Sequence, residues 1–391
     1  MSVPRILVIA GSDSGGGAGI QADIKTVTML GGHAMTAITA ITAQNTLGVT
    51  DVHSVPTASV VAQIDAVVAD IGVDAVKIGM IGSADIVDAV IDRLAPIPGV
   101  PVVLDPVMVA TSGARLADDR TVAALERLMA VSSVVTPNAP ELSVLTGDDV
   151  SSGYSLERAA RKLSRRHGTG VLAKGGHVPG GTVTDILVEA GGATSRFADP
   201  RIDSPHTHGT GCTLATAVAV ALGEGRVLAD AVARARQFVR VAILEAPGLG
   251  AGHGPMGHGR VRLDLPGDTP VQNQVTLPVT ALAEATAFYE LLGLRRIVHS
   301  PDRYARFEAG SGTTLSLEAA HEIGGQALTY LECDNLDAAV ARLAAAGVSI
   351  ESGPADRRWG WREARLRDPA GNAICLYAAG PARRFPPWRE R

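Results

Sequence analysis

The sequence predicts an α/β protein with helices on both faces of a parallel sheet, followed by a smaller α+β domain. Three observations carry that expectation. Short β-branched runs alternate with longer helical stretches from Arg5 to about Ala246. The strand candidates read as unbroken apolar runs, the pattern of a parallel sheet whose two faces are both covered. From Gln274 onward a β-α-β-β-β order occurs twice, the mark of paired βαβββ modules.

The strands are expected at Ile6–Ala10, Met35–Ala40, Ala75–Ile78, Val102–Leu104, Val134–Thr136, Val171–Ala173 and Thr184–Val188. Helical spacing occupies Ala58–Asp70, Ala84–Leu94, Asp118–Ala130, Leu156–Gly168 and Cys212–Glu224 between them. Seven glycines and four prolines between Pro247 and Pro270 then break all periodicity. This divides the chain into a first domain over 1–266, a linker over 267–273 and a second domain over 274–391. In the second domain Gln274–Val279 reads as a strand and Ala281–Leu291 as a helix, with strands to Glu318. The order then repeats from Leu328–Cys333 and Leu336–Ala346 to Tyr377.

Composition narrows the function. At 391 residues the chain exceeds the usual single domain. A net charge of −5 argues against a nucleic-acid partner, whose phosphates reward a basic face. The basic cluster Arg161, Lys162, Arg165 and Arg166 reads as a solvated helix face. Cys212, Cys333 and Cys375 have neither a disulfide framework nor zinc-type spacing. The apolar run after Arg5 is too short for a secretory signal, and no stretch reaches the ~18–20 apolar residues that span a bilayer. The expected setting is the reducing cytoplasm, with no membrane partner.

In a parallel sheet of this kind, ligands gather beyond the carboxyl ends of the strands. Gly209-Thr210-Gly211-Cys212 opens an apolar helix, where backbone N–H groups and the helix dipole favour negative charge. That suits phosphoryl transfer; a glycine turn ahead of a core helix is the plainer alternative. A second glycine-rich stretch, Gly11 to Gly19, follows the first strand. It fits neither the Rossmann nor the P-loop spacing, because Ile20 and Ile24 stand where glycines are required. With Asp13 and Asp23 it is better suited to cradling a small polar substrate.

Seven blocks, in this order, resemble the ribokinase superfamily, and within it the hydroxymethylpyrimidine/phosphomethylpyrimidine kinases of thiamin biosynthesis. They run Ala10 to Asp23, Ile41 to Thr46, Lys77 to Met80, Leu104 to Met108, Thr136 to Glu141, Lys174 to His177 and His208 to Thr213. The resemblance covers about residues 4–262. It implies ATP and Mg2+, a small pyrimidine acceptor and a homodimer. Gln44 resembles the residue that holds the pyrimidine, an amide offering both a donor and an acceptor. Met80 resembles an apolar wall for the ring, and Asp23 with the backbone at Gly11 completes the cradle. Asp105, Asn138 and Glu141 resemble the oxygen groups on the Mg–ATP side. Lys174 resembles a cation that neutralises phosphate. At Cys212 most of the superfamily carries an aspartate base, whereas the pyrimidine kinases carry cysteine. A thiol at a helix N-terminus is expected to have a depressed pKa, so the resemblance makes Cys212 a candidate base. A pyridoxal-type vitamin kinase is the related alternative, disfavoured by Cys212 and the Gln44 block. A purely regulatory or binding role for the whole chain is the alternative of another class, disfavoured by Lys174, Glu141 and the glycine-rich anion site.

The second domain, with Ala287 to Leu294 early and Arg367 to Asn372 late, resembles the vicinal-oxygen-chelate superfamily of glyoxalases, dioxygenases and bleomycin-resistance proteins. Its metal-dependent members bind through four positions, which by motif offset are Gln274, Glu318, Leu328 and Cys375 here. Leucine is no ligand, leaving Gln274 and Glu318 as residual oxygen positions. The expectation is a metal-free ligand-binding or assembly module, with a glyoxalase- or dioxygenase-like metal enzyme as the alternative. Trp359, Trp361 and Arg362 are candidates to line an aromatic pocket.

Overall fold

A computed structural model describes residues 3–108, 118–261, 271–291, 294–308, 313–321, 328–333, 335–367 and 373–380. The chain divides into two compact units, one ending at Leu263 and the other beginning at Asp264. Most of the expected linker lies outside the described residues, while 271–273, expected as its end, are already strand.

The first unit is built on nine strands. They are β1 (Arg5–Asp13), β2 (His33–Gln44), β3 (Val49–Ser54), β4 (Ala75–Ile78), β5 (Val102–Leu104), β6 (Val134–Val135), β7 (Gly170–Ala173), β8 (Thr182–Val188) and β9 (Thr194–Pro200). Their order in the sheet is β3-β2-β1-β4-β5-β6-β7-β8-β9. The six strands from β2 to β7 are parallel neighbours, as the apolar runs predict. The expected parallel sheet needs one correction: β3, β8 and β9 are antiparallel additions at its edges. Their sequences show why. Val49–Ser54 is almost wholly exposed and β9 is half so, which leaves no apolar run to read.

Among the described residues eight helices flank this sheet: α1 (Gly19–Met29), α2 (Thr57–Asp70), α3 (Ala84–Leu94), α4 (Asp119–Ala130), α5 (Ala139–Thr146), α6 (Gly153–His167), α7 (Thr210–Gly223) and α8 (Leu228–Leu244). Helix α7 buries every residue from Thr213 to Ala221. Small side chains (Ala, Thr, Val) let it lie against α1, α8 and the middle of the sheet at once. The chain leaves β1 in opposite directions toward β2 and β4, so the crevice between their carboxyl ends is the topological switch point. At Gly11 the β1–β2 register slips, a bulge that turns the end of β1 toward that crevice.

The second unit contains β10 (Val271–Val279), α9 (Leu282–Leu291), β11 (Arg295–Ser300), β12 (Tyr304–Glu308) and β13 (Thr314–Ala319). The same order then repeats as β14 (Leu328–Glu332), α10 (Leu336–Ala345), β15 (Ile350–Asp356), β16 (Arg362–Arg367) and β17 (Ala373–Ala378). The duplication read from the sequence is therefore present, although residues 292–293 and 368–372 of its motifs lie outside the described residues. The eight strands form one sheet, ordered β11-β12-β13-β10-β14-β17-β16-β15. Five steps separate β12 from β16, about 24 Å in a flat sheet. Yet Arg306 on β12 lies 4.5 Å from the ring of Trp361 at the start of β16. The sheet curls on itself, with polar and aromatic residues inside the curve and both helices outside.

Candidate active site

The carboxyl ends of β1, β2, β4, β5 and β7 and the first turn of α7 open into one cavity of about 780 Å3. Its lining includes Gly11, Gln44, Met80, Asp105, Asn138, Glu141, Lys174, Gly209, Thr210, Gly211 and Cys212. Of the first-domain site residues read from the sequence, Asp23 alone is missing from that wall. It is fully buried beneath the site, one oxygen taking Lys77 Nζ at 2.7 Å and the other Thr216 Oγ1 at 2.6 Å. Asp23 cannot reach a substrate, so its place in the cradle is corrected to a supporting one.

The mouth of α7 is shaped by two glycines for two different reasons. Gly209 has φ of 85°, and a Cβ there would lie 2.0 Å from the Gly17 carbonyl oxygen. Only glycine permits that left-handed, close-packed cap. Gly211 is ordinary helix, but its missing Cβ would sit 3.2 Å from Lys174 Nζ and 3.3 Å from Asp105 Oδ2. The bare backbone thus keeps open the space between the helix N-terminus and the charged pair.

That pair is well defined. Lys174 Nζ donates to Asp105 Oδ1 at 2.7 Å, and Thr136 Oγ1 donates to the same oxygen at 3.0 Å. Glu141 Oε2 lies 3.9 Å from Lys174 Nζ. Asn138 caps α5: its side-chain oxygen accepts the Glu141 N–H at 2.9 Å, and Glu141 answers with the Asn138 N–H at 2.7 Å. The expected role of Asn138 toward metal is narrowed accordingly, since its amide oxygen is already committed. Burial raises the Glu141 carboxyl to about 7, Lys174 opposing and Asp105 reinforcing the shift.

Cys212 faces the cavity partly exposed. Its expected depressed pKa is corrected. Burial pushes the thiol up to about 11, and Asp23 and Asp105 add to this against the pull of Lys77. At neutral pH the side chain is then a thiol.

On the opposite wall Asp13 accepts hydrogen bonds from the amides of Gly15, Gly17 and Ala18 at 2.8–3.0 Å and lies 3.0 Å from His208 Nε2. Burial works against the Asp13 charge, but the His208 bond and these amides outweigh it and lower the pKa. An ionised carboxylate can only accept, so His208 carries its proton on Nε2. The Gln44 amide lies 3.0 Å from the same nitrogen and 3.3 Å from Thr42 Oγ1. The structure places the amide nitrogen toward His208 and the oxygen toward Thr42; with the proton on His208 Nε2, the reverse assignment of the two amide atoms is the one that makes both bonds. Gln44 is therefore held by His208, which Asp13 fixes in turn; Asp13 was expected in the cradle, whereas His208 had no expected role. Lys77 was missed as well. The signal for it was a lone lysine inside the four-residue apolar strand Ala75–Ile78.

These parts, in this arrangement, match known proteins. Residues 13–257 fit the model of the phosphomethylpyrimidine kinase family. The chain belongs to the phosphomethylpyrimidine kinase family. It is 51% identical over 254 residues to the thiamine biosynthesis bifunctional protein ThiED of Geobacter sulfurreducens, an alignment covering 65% of this chain and 52% of that protein. The chain thus spans about half the length of that relative. It is 44% identical to a hydroxymethylpyrimidine/phosphomethylpyrimidine kinase of Haemophilus influenzae, covering 66% of this chain and 97% of the relative. Among solved structures, the phosphomethylpyrimidine kinase of Clostridium difficile is 34% identical with a TM-score of 0.55, over 62% of this chain and all of that one. An ADP complex of Bacillus subtilis pyridoxal kinase, also 34% identical, has a TM-score of 0.63 over 67% of this chain and all of that one.

The first unit has a ribokinase-like fold, and membership of a kinase family implies the use of ATP. Residues 271–376 match the glyoxalase/bleomycin resistance protein/dioxygenase superfamily. In that glyoxalase-like domain the strand register corrects the ligand positions. Gln274 pairs with Thr314 on one side and Tyr330 on the other, and Tyr330 with Cys375. Leu328 lies two residues off this level. Glu318 is exposed four residues along β13, about 13 Å away, so Gln274 and Glu318 do not converge. Gln274 is buried and its oxygen accepts from Thr314 at 3.0 Å. No group of three His, Cys, Asp or Glu suited to a metal occurs among the described residues. Trp361 joins an aromatic cluster with Tyr330 and Tyr377, whereas Arg362 turns away to Asp337 and Asp356.

Proposed function

We propose that the first unit transfers the terminal phosphoryl group of ATP to the hydroxymethyl oxygen of 4-amino-5-hydroxymethyl-2-methylpyrimidine, and then to the phosphate of the product. One observation carries the reading: the amide-lined mouth of α7 shares a cavity with the Asp105–Lys174 pair on one side and the fixed Gln44 amide on the other. Gln44 presents donor and acceptor to an aminopyrimidine edge, and Met80 walls the ring. The α7 amides at Gly211 and Cys212 face the phosphoryl group as it acquires metaphosphate character. Lys174 balances its charge. Asp105 and the free oxygen of Glu141 form a hard oxygen set that fits Mg2+, most readily through water. When bound, Mg2+ offsets charge on the phosphates of ATP. Cys212 orients the acceptor hydroxyl at the helix mouth, because a thiol with a pKa near 11 is a poor store for its proton at neutral pH.

The deciding experiment is ADP release from purified protein with hydroxymethylpyrimidine or pyridoxal as acceptor. A kcat/KM preference for the pyrimidine of at least about tenfold is expected. Pyridoxal is the second reading, which the fold match to pyridoxal kinase favours; equal or reversed preference would establish it. Gln44→Ala is expected to raise the pyrimidine KM by about 10–100-fold, the cost of unmade hydrogen bonds at a buried edge, and the ATP KM by less than about twofold. Equal losses would remove Gln44 from the pyrimidine site.

The pH profile tests Glu141. The folded protein holds that proton more tightly than the unfolded chain. Glu141 therefore favours folding at low pH, and this contribution is lost as pH rises through about 7. Metal binding has the opposite sign, because it needs the carboxylate. The KM for Mg–ATP is expected to fall severalfold from pH 6 to 8, and Glu141→Gln to flatten that dependence. A profile unchanged in the variant would remove Glu141 from the metal side.

We further assign the chain to the cytoplasm as a homodimer. No helix of the described residues is long and apolar enough to cross a membrane. Three free cysteines suit a reducing compartment. Ile41, Leu47 and Val52 leave apolar side chains exposed along the β2–β3 edge, the kind of surface a second copy covers. Light scattering at micromolar concentration checks the dimer. For the glyoxalase-like domain we infer a metal-free binding role, which a stoichiometric transition metal in purified protein would overturn.

A further inference from the structure

We propose that the concave face of the second unit binds a small oxyanion, a carboxylate or phosphate group, through Arg306. The inference goes beyond the kinase reading and rests on none of it.

Arg306 is 8% exposed on the inner face of β12. Its Nε donates to the Tyr304 hydroxyl at 2.8 Å, and its guanidinium lies over the Trp361 ring at 4.5 Å. Trp361 is itself stacked on Tyr377 at 4.6 Å, so the guanidinium plane is fixed from below. No ion pair joins Arg306 to a carboxylate among the described residues. The other arginines of this face have carboxylate partners, and the buried Glu332 is held by a neutral amide. Glu363 takes Arg357 and Arg365, Glu308 takes Arg295, and Glu332 accepts from Asn273 at 2.8 Å.

The hydrogen-bond polarity points the same way. Tyr304 accepts the Arg306 N–H, and its hydroxyl shares one hydrogen bond with that of Ser316, 2.6 Å away. One of the two hydroxyl hydrogens and the two guanidinium NH2 groups then have no acceptor among the described residues. A nearly buried guanidinium with no ion-pair partner among the described residues, and with donors unspent beside it, calls for an acceptor that is anionic and small. With both ring faces of Trp361 occupied, the ligand meets the edge of the guanidinium. There its two parallel N–H groups match the two oxygens of a carboxylate or phosphate. This is not the strand level of Gln274, Tyr330 and Cys375: Arg306 pairs with Ser316, two residues along β13 from Thr314.

All three tryptophans of the chain, at 359, 361 and 388, lie in the second unit, so intrinsic emission reports on it alone. The full chain is titrated with benzoate, inorganic phosphate or chloride at constant ionic strength. A saturable change with benzoate identifies a carboxylate site, and one with phosphate a phosphate-ester site. R306M is expected to raise the half-saturation at least tenfold, and R306K, which keeps the charge but not the fork, by less. An identical response to chloride, or wild-type titration of R306M, overturns the proposal. If R306M fails to fold, S316A decides: severalfold weakening supports the site, and unchanged affinity refutes it.

Discussion

Replacing Gly211 by valine is expected to lower kcat by about 10²–10³-fold with little change in thermal stability. The loss is that of one well-placed amide donor in a site where charge develops. A Cβ at Gly211 falls between Lys174 Nζ and Asp105 Oδ2, at 3.2 and 3.3 Å, which is the space a phosphoryl oxygen needs. Stability is spared because the atoms it meets are side-chain ends and because the backbone at 211 is ordinary helix. Valine is also a slightly better helix former than glycine, by a few tenths of a kcal/mol. Gly209→Ala provides the contrast. A Cβ there meets the Gly17 backbone at 2.0 Å in a left-handed conformation, so that variant is expected to unfold at lower temperature whatever its activity. Steady-state ADP release and a melting curve on both variants separate the two effects. Wild-type turnover in Gly211→Val would remove the anion-binding role of the helix mouth.

The site was legible where chemistry needs a rare residue in a fixed order, and illegible where it needs a partner distant in sequence. Cys212, Gly211 and Lys174 stand in short blocks after strands, and the parallel sheet brings those blocks to one edge. The apolar runs of β4 and β5 were read to the residue because both faces of a central strand are covered. The edge strands β3 and β9 escaped, because exposure removes the pattern. Asp23 differs for a related reason: an acid on the first turns of α1, just past the glycine-rich loop, reads as part of the cradle until the fold shows Lys77, 54 residues on, pointing at it. The same holds for Gln44, whose orientation depends on His208, 164 residues away. A thiol's pKa is harder still. The helix N-terminus gave one sign, and burial beside two carboxylates gave the other. In the second unit the strand order was readable, but the level at which side chains meet depends on register, which motif offsets alone do not fix.

Lys77→Met is expected to destabilise the first unit by about 3–5 kcal/mol, the cost of breaking a buried pair and leaving one charge uncompensated. Lys77 and Asp23 are both fully buried, 2.7 Å apart, and Asp23 also holds Thr216 on α7. Burial disfavours the Lys77 charge, yet Asp23 above all, with Asp105, keeps it firmly protonated. Removing lysine thus strands a carboxylate under the catalytic helix. Removing both, as Lys77→Met with Asp23→Leu, is expected to recover most of the loss, since an apolar pair of similar volume is often no worse than a buried ion pair. Turnover follows a different course. Lys77 also borders the cavity from below, so the double variant loses a buried positive charge under the phosphoryl path. It is expected to fold and yet to keep a kcat at least about tenfold below wild type. Urea unfolding and ADP release on the two single variants and the double complete the cycle. Full activity in the folded double variant would make the pair purely architectural. Unchanged stability in Lys77→Met would mean that water or rearrangement satisfies Asp23, and α7 would then need another explanation for its fixed place over the sheet.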